Sequence, residues 1–145
     1  MENVDFLKRN NLVLGFVIIG MVFWVSNVQN SGPLKSFTVP EISIGDAVTA
    51  IARGAMVIDV RERDAYEKGH IPNAVSVPLD ELRRRAAEFA AVKDKEFVIY
   101  CGDGSTLGPQ GTQALTDAGH PATKNLAAGL PGWKAAGHPV ASGAK

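Results

Sequence analysis

The single cysteine of the chain, Cys101, stands where a nucleophile could be activated. It follows the apolar run Glu96–Tyr100, a predicted buried strand, and opens a glycine-rich loop that leads to a helix beginning at Pro109. Backbone N–H groups of such a loop can converge on one point and stabilise an anion such as a thiolate. The residues that would form this binding loop are Gly102, Asp103, Gly104, Ser105 and Thr106.

An inert buried cysteine is the alternative interpretation, because cysteine is a common core residue. The position of Cys101 after a strand, beside several glycines, favours a nucleophile. A second polar pair, Asp59 and Arg61, lies at the end of another apolar run, Met56–Val60. Ligands of parallel sheets bind beyond the carboxyl ends of the strands, so we expect this pair and Cys101 at the same edge.

The elements that must position these residues alternate along the chain. Ser43 and Asp46 have the spacing of a capping box and predict a helix that ends at Gly54. Apolar periodicity predicts strands at 56–60, 74–77, 96–100 and 122–126, and helices at 80–92, 109–119 and 130–136. This alternation predicts an α/β domain whose parallel sheet is flanked by helices.

Composition excludes several classes of function. The 145 residues suffice for one domain of ordinary size. The formal net charge is zero, which argues against binding to nucleic acid, since that function needs a basic surface. One cysteine excludes an intramolecular disulfide and a multi-cysteine zinc site, and no metal site or cofactor is predicted.

Residues 10–34 contain no charged side chain, and their apolar part predicts a transmembrane helix at 11–28. A helix of that length spans about 27 Å, close to the thickness of a bilayer's hydrocarbon core. It is apolar on every face, and Trp24 fits an interfacial position. A cleaved signal peptide is the rival interpretation, but no small-x-small cleavage site follows the apolar run. We therefore expect an uncleaved, single-pass anchor in the cell membrane, with the lipid bilayer as a partner.

The predicted organisation is a tail at 1–10, the transmembrane helix at 11–28, a linker at 29–40, a domain at 41–140 and a tail at 141–145. Lys8 and Arg9 precede the span, whereas only Lys35 follows it closely. Under the positive-inside rule this favours a domain outside the cytoplasm.

Four sequence elements together resemble a single-domain rhodanese. They are Val57-Ile-Asp-Val-Arg-Glu62, Tyr66-Glu-Lys-Gly-His-Ile-Pro-Asn-Ala74, the cysteine after a strand, and Gly129-Leu-Pro-Gly-Trp-Lys-Ala-Ala-Gly-His-Pro-Val140. The resemblance implies that Cys101 takes the outer sulfur of a small donor, holds it as a persulfide, and passes it to a thiol or a protein acceptor. It also implies that Asp59 and Arg61 support the loop, that Arg61 pairs with Glu67, and that His70 has a packing role.

The loop itself departs from the pattern Cys-x-x-Gly-x-Arg-Ser of typical members. Thr106 replaces the arginine that helps to bind anionic donors, and Leu107 replaces the serine. Asp103 adds a negative charge beside the nucleophile, which disfavours an anionic donor such as thiosulfate. A cysteine phosphatase is excluded, because that class needs an arginine six residues after its cysteine and Leu107 stands there.

The sequence leaves two functions open. Cys101 favours a membrane-anchored sulfurtransferase, whereas the missing arginine and the added Asp103 favour a catalytically reduced domain that acts as a tethered protein-interaction module.

The uncharged amino-terminal segment generates the first prediction. Full-length protein should sediment with membranes and remain there after alkaline carbonate extraction, because the apolar helix holds it in the bilayer. A chain that lacks residues 1–31 should be released into the supernatant and still unfold cooperatively on heating. Release of the full-length protein by carbonate would contradict a membrane-spanning segment.

Overall fold

Five short strands form one parallel sheet in the computed structural model, which describes residues 38–144 of the chain. Their order in space is β1-β5-β4-β2-β3, so β4 lies at the centre. The strands are β1 (Glu41–Ile42), β2 (Met56–Asp59), β3 (Val75–Ser76), β4 (Phe97–Tyr100) and β5 (Thr123–Leu126). Because all pairs are parallel, the carboxyl ends of the strands meet at one edge of the sheet.

Helices connect the strands and cover both faces of the sheet. They are α1 (Ile44–Ala52), α2 (Arg63–Lys68), α3 (Leu79–Arg84), α4 (Ala86–Ala90), α5 (Leu107–Asp117) and α6 (Gly129–Ala135). The predicted cap of α1 is confirmed, since the Asp46 N–H donates to Ser43 Oγ at 3.1 Å. The predicted fold class, an α/β domain with a parallel sheet flanked by helices, is confirmed as well.

The alternation of side chains along β4 divides the core into two layers. Phe97, Ile99 and the following Cys101 face one side, where they pack with buried residues of α3 and α5 such as Leu82 and Leu115. Val98 and Tyr100 face the other side, together with Ala47 and Ala50 of α1 and with Leu130 and Trp133 of α6. Full burial of one large apolar side chain stabilises a fold by about 1.5–3 kcal/mol, so this strand anchors both layers. The position of Cys101 follows from that register.

The predicted helix at 80–92 is wrong as a single element. The structure has two short helices there, α3 and α4, separated at Arg85, whose φ of −108° and ψ of 11° are not helical. In one straight helix Leu82 and Ala90, eight residues apart, would point about 80° away from each other. With the break both side chains are buried, and Arg85 pairs with Glu81 on one side and Glu88 on the other.

Two further boundaries differ from the sequence prediction. Helix α5 begins at Leu107 rather than at Pro109, since a proline in the first turn lacks only an N–H that would have no helical partner there. The two-residue strand β1 was not predicted, because it is too short to show alternation.

At the carboxyl terminus, Ala141 exchanges two hydrogen bonds with His70, and the Gly143 N–H donates to the Glu67 carbonyl. The hydrogen-bonded part of the domain thus extends past Val140.

The predicted transmembrane helix at 11–28, the tail at 1–10 and most of the linker lie outside the described residues. Within residues 38–144, no helix combines the length and the apolarity that crossing a membrane requires.

Candidate active site

Cys101 lies directly after β4, at the carboxyl edge of the sheet, and is fully buried. Its carbonyl accepts a hydrogen bond from the Leu130 N–H at 3.1 Å, which ties the first residue of the loop to α6. Its sulfur accepts a hydrogen bond from the Gly104 N–H at 3.3 Å. One amide of the predicted binding loop therefore contacts the sulfur, as the glycine-rich sequence suggested.

The carboxylate of Asp103 accepts hydrogen bonds from two further amides of the loop. Its Oδ1 accepts hydrogen bonds from the Ser105 N–H at 3.0 Å, the Thr106 N–H at 3.2 Å and the Thr106 hydroxyl at 3.1 Å. The Cys101 thiol donates to the same oxygen at 3.3 Å. In the unmodified protein the Ser105 and Thr106 amides thus donate to a carboxylate within the loop, and that the loop amides hold the persulfide anion stays a prediction.

These hydrogen bonds fix the charge of the site. The Ser105 amide first, and then the Cys101 thiol, hold the pKa of the Asp103 carboxyl well below its usual range. Asp103 is therefore an anion throughout the physiological pH range. Among residues 38–144, no lysine or arginine side chain makes a hydrogen bond or an ion pair with the loop from Cys101 to Thr106.

Two glycines allow the loop to pack closely against the connection between β5 and α6. Gly104 has a φ of +77°, and a Cβ on it would overlap with the carbonyl of Ala127. Gly129 has a φ of +55°, and a Cβ on it would lie 2.7 Å from the Gly104 nitrogen. Both positions need the left-handed conformation and the missing side chain of glycine. The loop is consequently held between α5 and α6.

Sequence reasoning missed Asn125, a further residue of the site. Its side chain is fully buried on β5, and its Nδ2 donates to the Gly104 carbonyl at 2.8 Å. The Gly104 carbonyl is thereby held from β5, while the N–H of the same residue, in the preceding peptide unit, donates to the sulfur. A signal existed in the sequence, because Asn125 is a polar residue near the carboxyl end of the strand predicted at 122–126, the edge where ligands of parallel sheets bind.

Asp59 and Arg61, predicted to support the loop, form a compact pair next to it. Asp59 is fully buried and accepts from the Arg61 backbone N–H, Nε and Nη2, the last at 2.6 Å. Arg61 Nη2 also donates to the Gly69 carbonyl at 2.7 Å. Toward the loop, Arg61 offers only its apolar stem, which flanks Gly102. The pair thus lies beside the loop without a hydrogen bond to it among residues 38–144, and its supporting role stays a prediction.

The neighbouring residues correct one expectation and confirm another. Arg61 does not pair with Glu67, which is exposed, because Asp59 satisfies the guanidinium two residues away. His70 has the predicted packing role: it is buried, stacks on Tyr66 with ring centroids 3.7 Å apart, and bonds the Tyr66 carbonyl through Nδ1. Burial, together with the Asp59 carboxylate, raises the pKa of Tyr100, whose hydroxyl accepts the Ile71 N–H.

Comparison with known proteins agrees with this geometry. The sequence model of the rhodanese-like domain matches residues 43–136, which include Asp59, Arg61 and Cys101. The chain belongs to the rhodanese-like family. The thiosulfate sulfurtransferase of Pseudomonas aeruginosa has a similar structure, with a TM-score of 0.66 and 33% sequence identity over 74% of this chain and 21% of that one.

The curated relatives include a named sulfurtransferase. Thiosulfate sulfurtransferase GlpE of Coxiella burnetii is 31% identical over 64% of this chain and 83% of its own length. The uncharacterized protein YqhL of Bacillus subtilis is 29% identical over 86% of this chain and 93% of its own. The HTH-type transcriptional regulator Rv0324 of Mycobacterium tuberculosis is 38% identical, but this chain spans only 38% of its length. The family match and the name of the Coxiella burnetii relative confirm the prediction of a rhodanese-like sulfurtransferase at the level of the family.

The pair of Asp59 and Arg61 generates a stability prediction. Arg61→Ala should lower the free energy of unfolding by about 3–5 kcal/mol, because it leaves the fully buried Asp59 carboxylate without its counter-charge. Arg63→Ala is the matched control: Arg63 pairs with Glu81 on the surface, and its loss should cost less than about 1 kcal/mol. Urea unfolding of the three proteins measures both values. Equal midpoints for the two variants would contradict a supporting role for the buried pair.

Proposed function

We propose that the protein is a membrane-anchored sulfurtransferase that forms a persulfide on Cys101 and passes its outer sulfur to a thiophilic acceptor. One observation carries the proposal: the only thiol of the chain lies at the carboxyl edge of the sheet with the Gly104 N–H donating to its sulfur. In the first step the Cys101 thiolate attacks the outer sulfur of a donor R–S–SH, and the departing R–S⁻ takes up a proton. In the second, an acceptor thiolate attacks the outer sulfur of the persulfide and the Cys101 thiolate leaves.

The acceptor must come from outside the chain, because no second cysteine exists to resolve the persulfide. A small thiol or a cysteine of a partner protein has the required chemistry.

The charge of the loop favours a neutral or protein-borne persulfide as the donor. Thiosulfate carries two negative charges and would approach the anionic Asp103 with the Ser105 and Thr106 amides already bonded to that carboxylate. Thr106 stands where typical relatives have a basic side chain, so nothing offsets the repulsion. An uncharged donor meets no such penalty.

The membrane anchor and its orientation are part of the proposal. The similarity to YqhL covers more of this chain than residues 38–145 make up, so it extends into the amino-terminal segment that contains the uncharged stretch. Lys8 and Arg9 before that stretch favour a domain outside the cytoplasm.

A tethered interaction module is the second candidate, and one observation favours it. Cys101 is fully buried and its thiol bonds the Asp103 carboxylate, which is the environment of an unreactive cysteine. Formation of a persulfide on the intact protein decides between the two functions.

The nucleophile is tested by mass spectrometry. After treatment with 2-hydroxyethyl persulfide, which carries at most one negative charge against two on thiosulfate, the wild-type protein should gain the mass of one sulfur atom on Cys101, and a thiol acceptor should remove it. Cys101→Ser should show neither gain nor turnover, with a midpoint of thermal unfolding close to that of the wild type. Absence of the adduct on the wild type, at donor concentrations that persulfidate a known rhodanese, would favour the interaction module.

The role of Asp103 is tested by its isosteric amide. Asp103→Asn keeps an oxygen that can accept the Ser105 and Thr106 N–H groups but removes the charge, so kcat/KM for thiosulfate should rise by about tenfold. The same variant should change kcat/KM for 2-hydroxyethyl persulfide by less than about twofold. Thr106→Arg should raise the thiosulfate value as well. Because hydrogen bonds hold the pKa of Asp103 low, these ratios should persist from acidic to basic assay pH.

Asp94→Asn is the control for the role of Asp103, since it removes an exposed carboxylate that precedes β4, whereas the loop follows the other end of that strand. It should leave both donors unaffected. Efficient use of thiosulfate by the wild type, unchanged in Asp103→Asn, would show that the charge does not select the donor.

A further inference from the structure

Of the two polar atoms in the Asn125 carboxamide, only one has a hydrogen-bond partner among the described residues. Nδ2 donates to the Gly104 carbonyl, whereas Oδ1, which is buried, has no hydrogen-bond partner among the described residues. Buried acceptors without a donor are rare in native proteins, and those that persist are often completed by a ligand or serve a catalytic role. Asn125 Oδ1 is therefore a candidate acceptor for a donor that a bound group brings.

The surroundings of Oδ1 point to the sulfur of Cys101. A Cβ on Gly108, in the first turn of α5, would overlap with Asn125 Oδ1 and would lie 3.4 Å from Cys101 Sγ. The carbonyl oxygen and the sulfur therefore both lie beside Gly108, where the missing side chain of glycine makes room for the Asn125 carboxamide. An S–S bond is about 2.05 Å long. The proton on a second sulfur bound to Sγ can therefore contact acceptors that the proton of the thiol cannot.

We propose that Asn125 is a positioning residue for sulfur transfer, whose Oδ1 accepts a hydrogen bond from the terminal S–H of the Cys101 persulfide and keeps that persulfide protonated. The proposal rests on the function proposed above, since it concerns the persulfide form. No group of residues 38–144 donates to this oxygen, and the incoming sulfur brings a donor. This hydrogen bond thereby stabilises the protein with a persulfide on Cys101 relative to the unmodified protein.

A protonated persulfide is the form that the second step needs. An acceptor thiolate R–S⁻ forms a bond to the outer sulfur, the S–S bond to Sγ breaks, and the products are R–S–SH and the Cys101 thiolate. The proton stays on the transferred sulfur, so the step needs no further reactant. If the outer sulfur were ionised, two anions would have to meet in a loop that provides no cation.

The charged groups around the sulfur agree with this assignment. From the loop, Asp103 faces Sγ at 3.3 Å and, as an anion, also favours a proton on the persulfide. From β2, the Arg61 guanidinium is bonded to Asp59 and Gly69. On β5, Lys124 pairs with Glu96, and α5 carries a titratable side chain only at Asp117, its last residue. Helix α6 contributes only Lys134, in its last turn.

The test is a pH titration of the persulfidated protein, in which the ultraviolet absorbance of the persulfide anion reports ionisation. Asn125→Leu removes the acceptor, and the persulfide should ionise at a pH lower by about half a unit to one unit, the range expected for one hydrogen bond. Asn125→Asp loses the amide but keeps an acceptor oxygen, so its midpoint should equal or exceed that of the wild type. A purely structural role, through the Gly104 carbonyl, would shift both variants in the same direction.

Thr123→Val is the matched control, because Thr123 is equally buried on the same face of β5 but bonds His120 instead of the loop. Its persulfide should titrate like that of the wild type. Mass spectrometry before each titration verifies the sulfur adduct. Failure of the wild type to acquire the adduct would overturn the proposed function, whereas adducts on all proteins with equal midpoints, or a downward shift in both Asn125 variants, would overturn only the role of Asn125.

Discussion

The hydrogen bonds that the Asp103 carboxylate accepts within its own loop are the constraint on which the chemistry of this protein depends. Three donors from Ser105 and Thr106 converge on one oxygen, and the Cys101 thiol is the fourth. A loop of this shape can bind an external anion, and here it holds an anion that is part of the chain. The sulfur is left with the Gly104 amide alone. Consequently the site carries a negative charge before any substrate arrives.

The rest of the domain keeps that arrangement in place. Strand β4 sets the position of Cys101, and its two-sided burial fixes the register of the central strand. Gly104 and Gly129 let the loop lie against the start of α6, and Asn125 holds the Gly104 carbonyl from β5. A site with these contacts is suited to an uncharged donor of sulfur. The missing arginine and the added carboxylate of Asp103 thus both disfavour an anionic sulfur donor.

Much of the fold could be predicted from the sequence, because apolar runs mark the strands and Ser43 marks the first cap. The break at Arg85 could not be predicted from periodicity alone, since it depends on what Leu82 and Ala90 pack against. At the site, the spacing of Cys101 and the glycines indicated the loop, and Asp103 was visible as an unfavourable charge. That its carboxylate takes the amides of Ser105 and Thr106 depends on backbone dihedral angles that the sequence does not show. Asn125 was missed for a similar reason: its importance arises from the parallel pairing of β4 and β5, which brings distant segments together.

A crystal structure of the persulfidated protein tests the central claim most directly. We predict that the Ser105 and Thr106 amides still donate to the Asp103 carboxylate in that form. The outer sulfur should then lie near the Gly104 N–H, with Asn125 Oδ1 within hydrogen-bond distance. If both amides instead donate to the outer sulfur and the Asp103 side chain has turned away, the loop is an ordinary anion site, which would contradict a fixed negative charge beside Cys101.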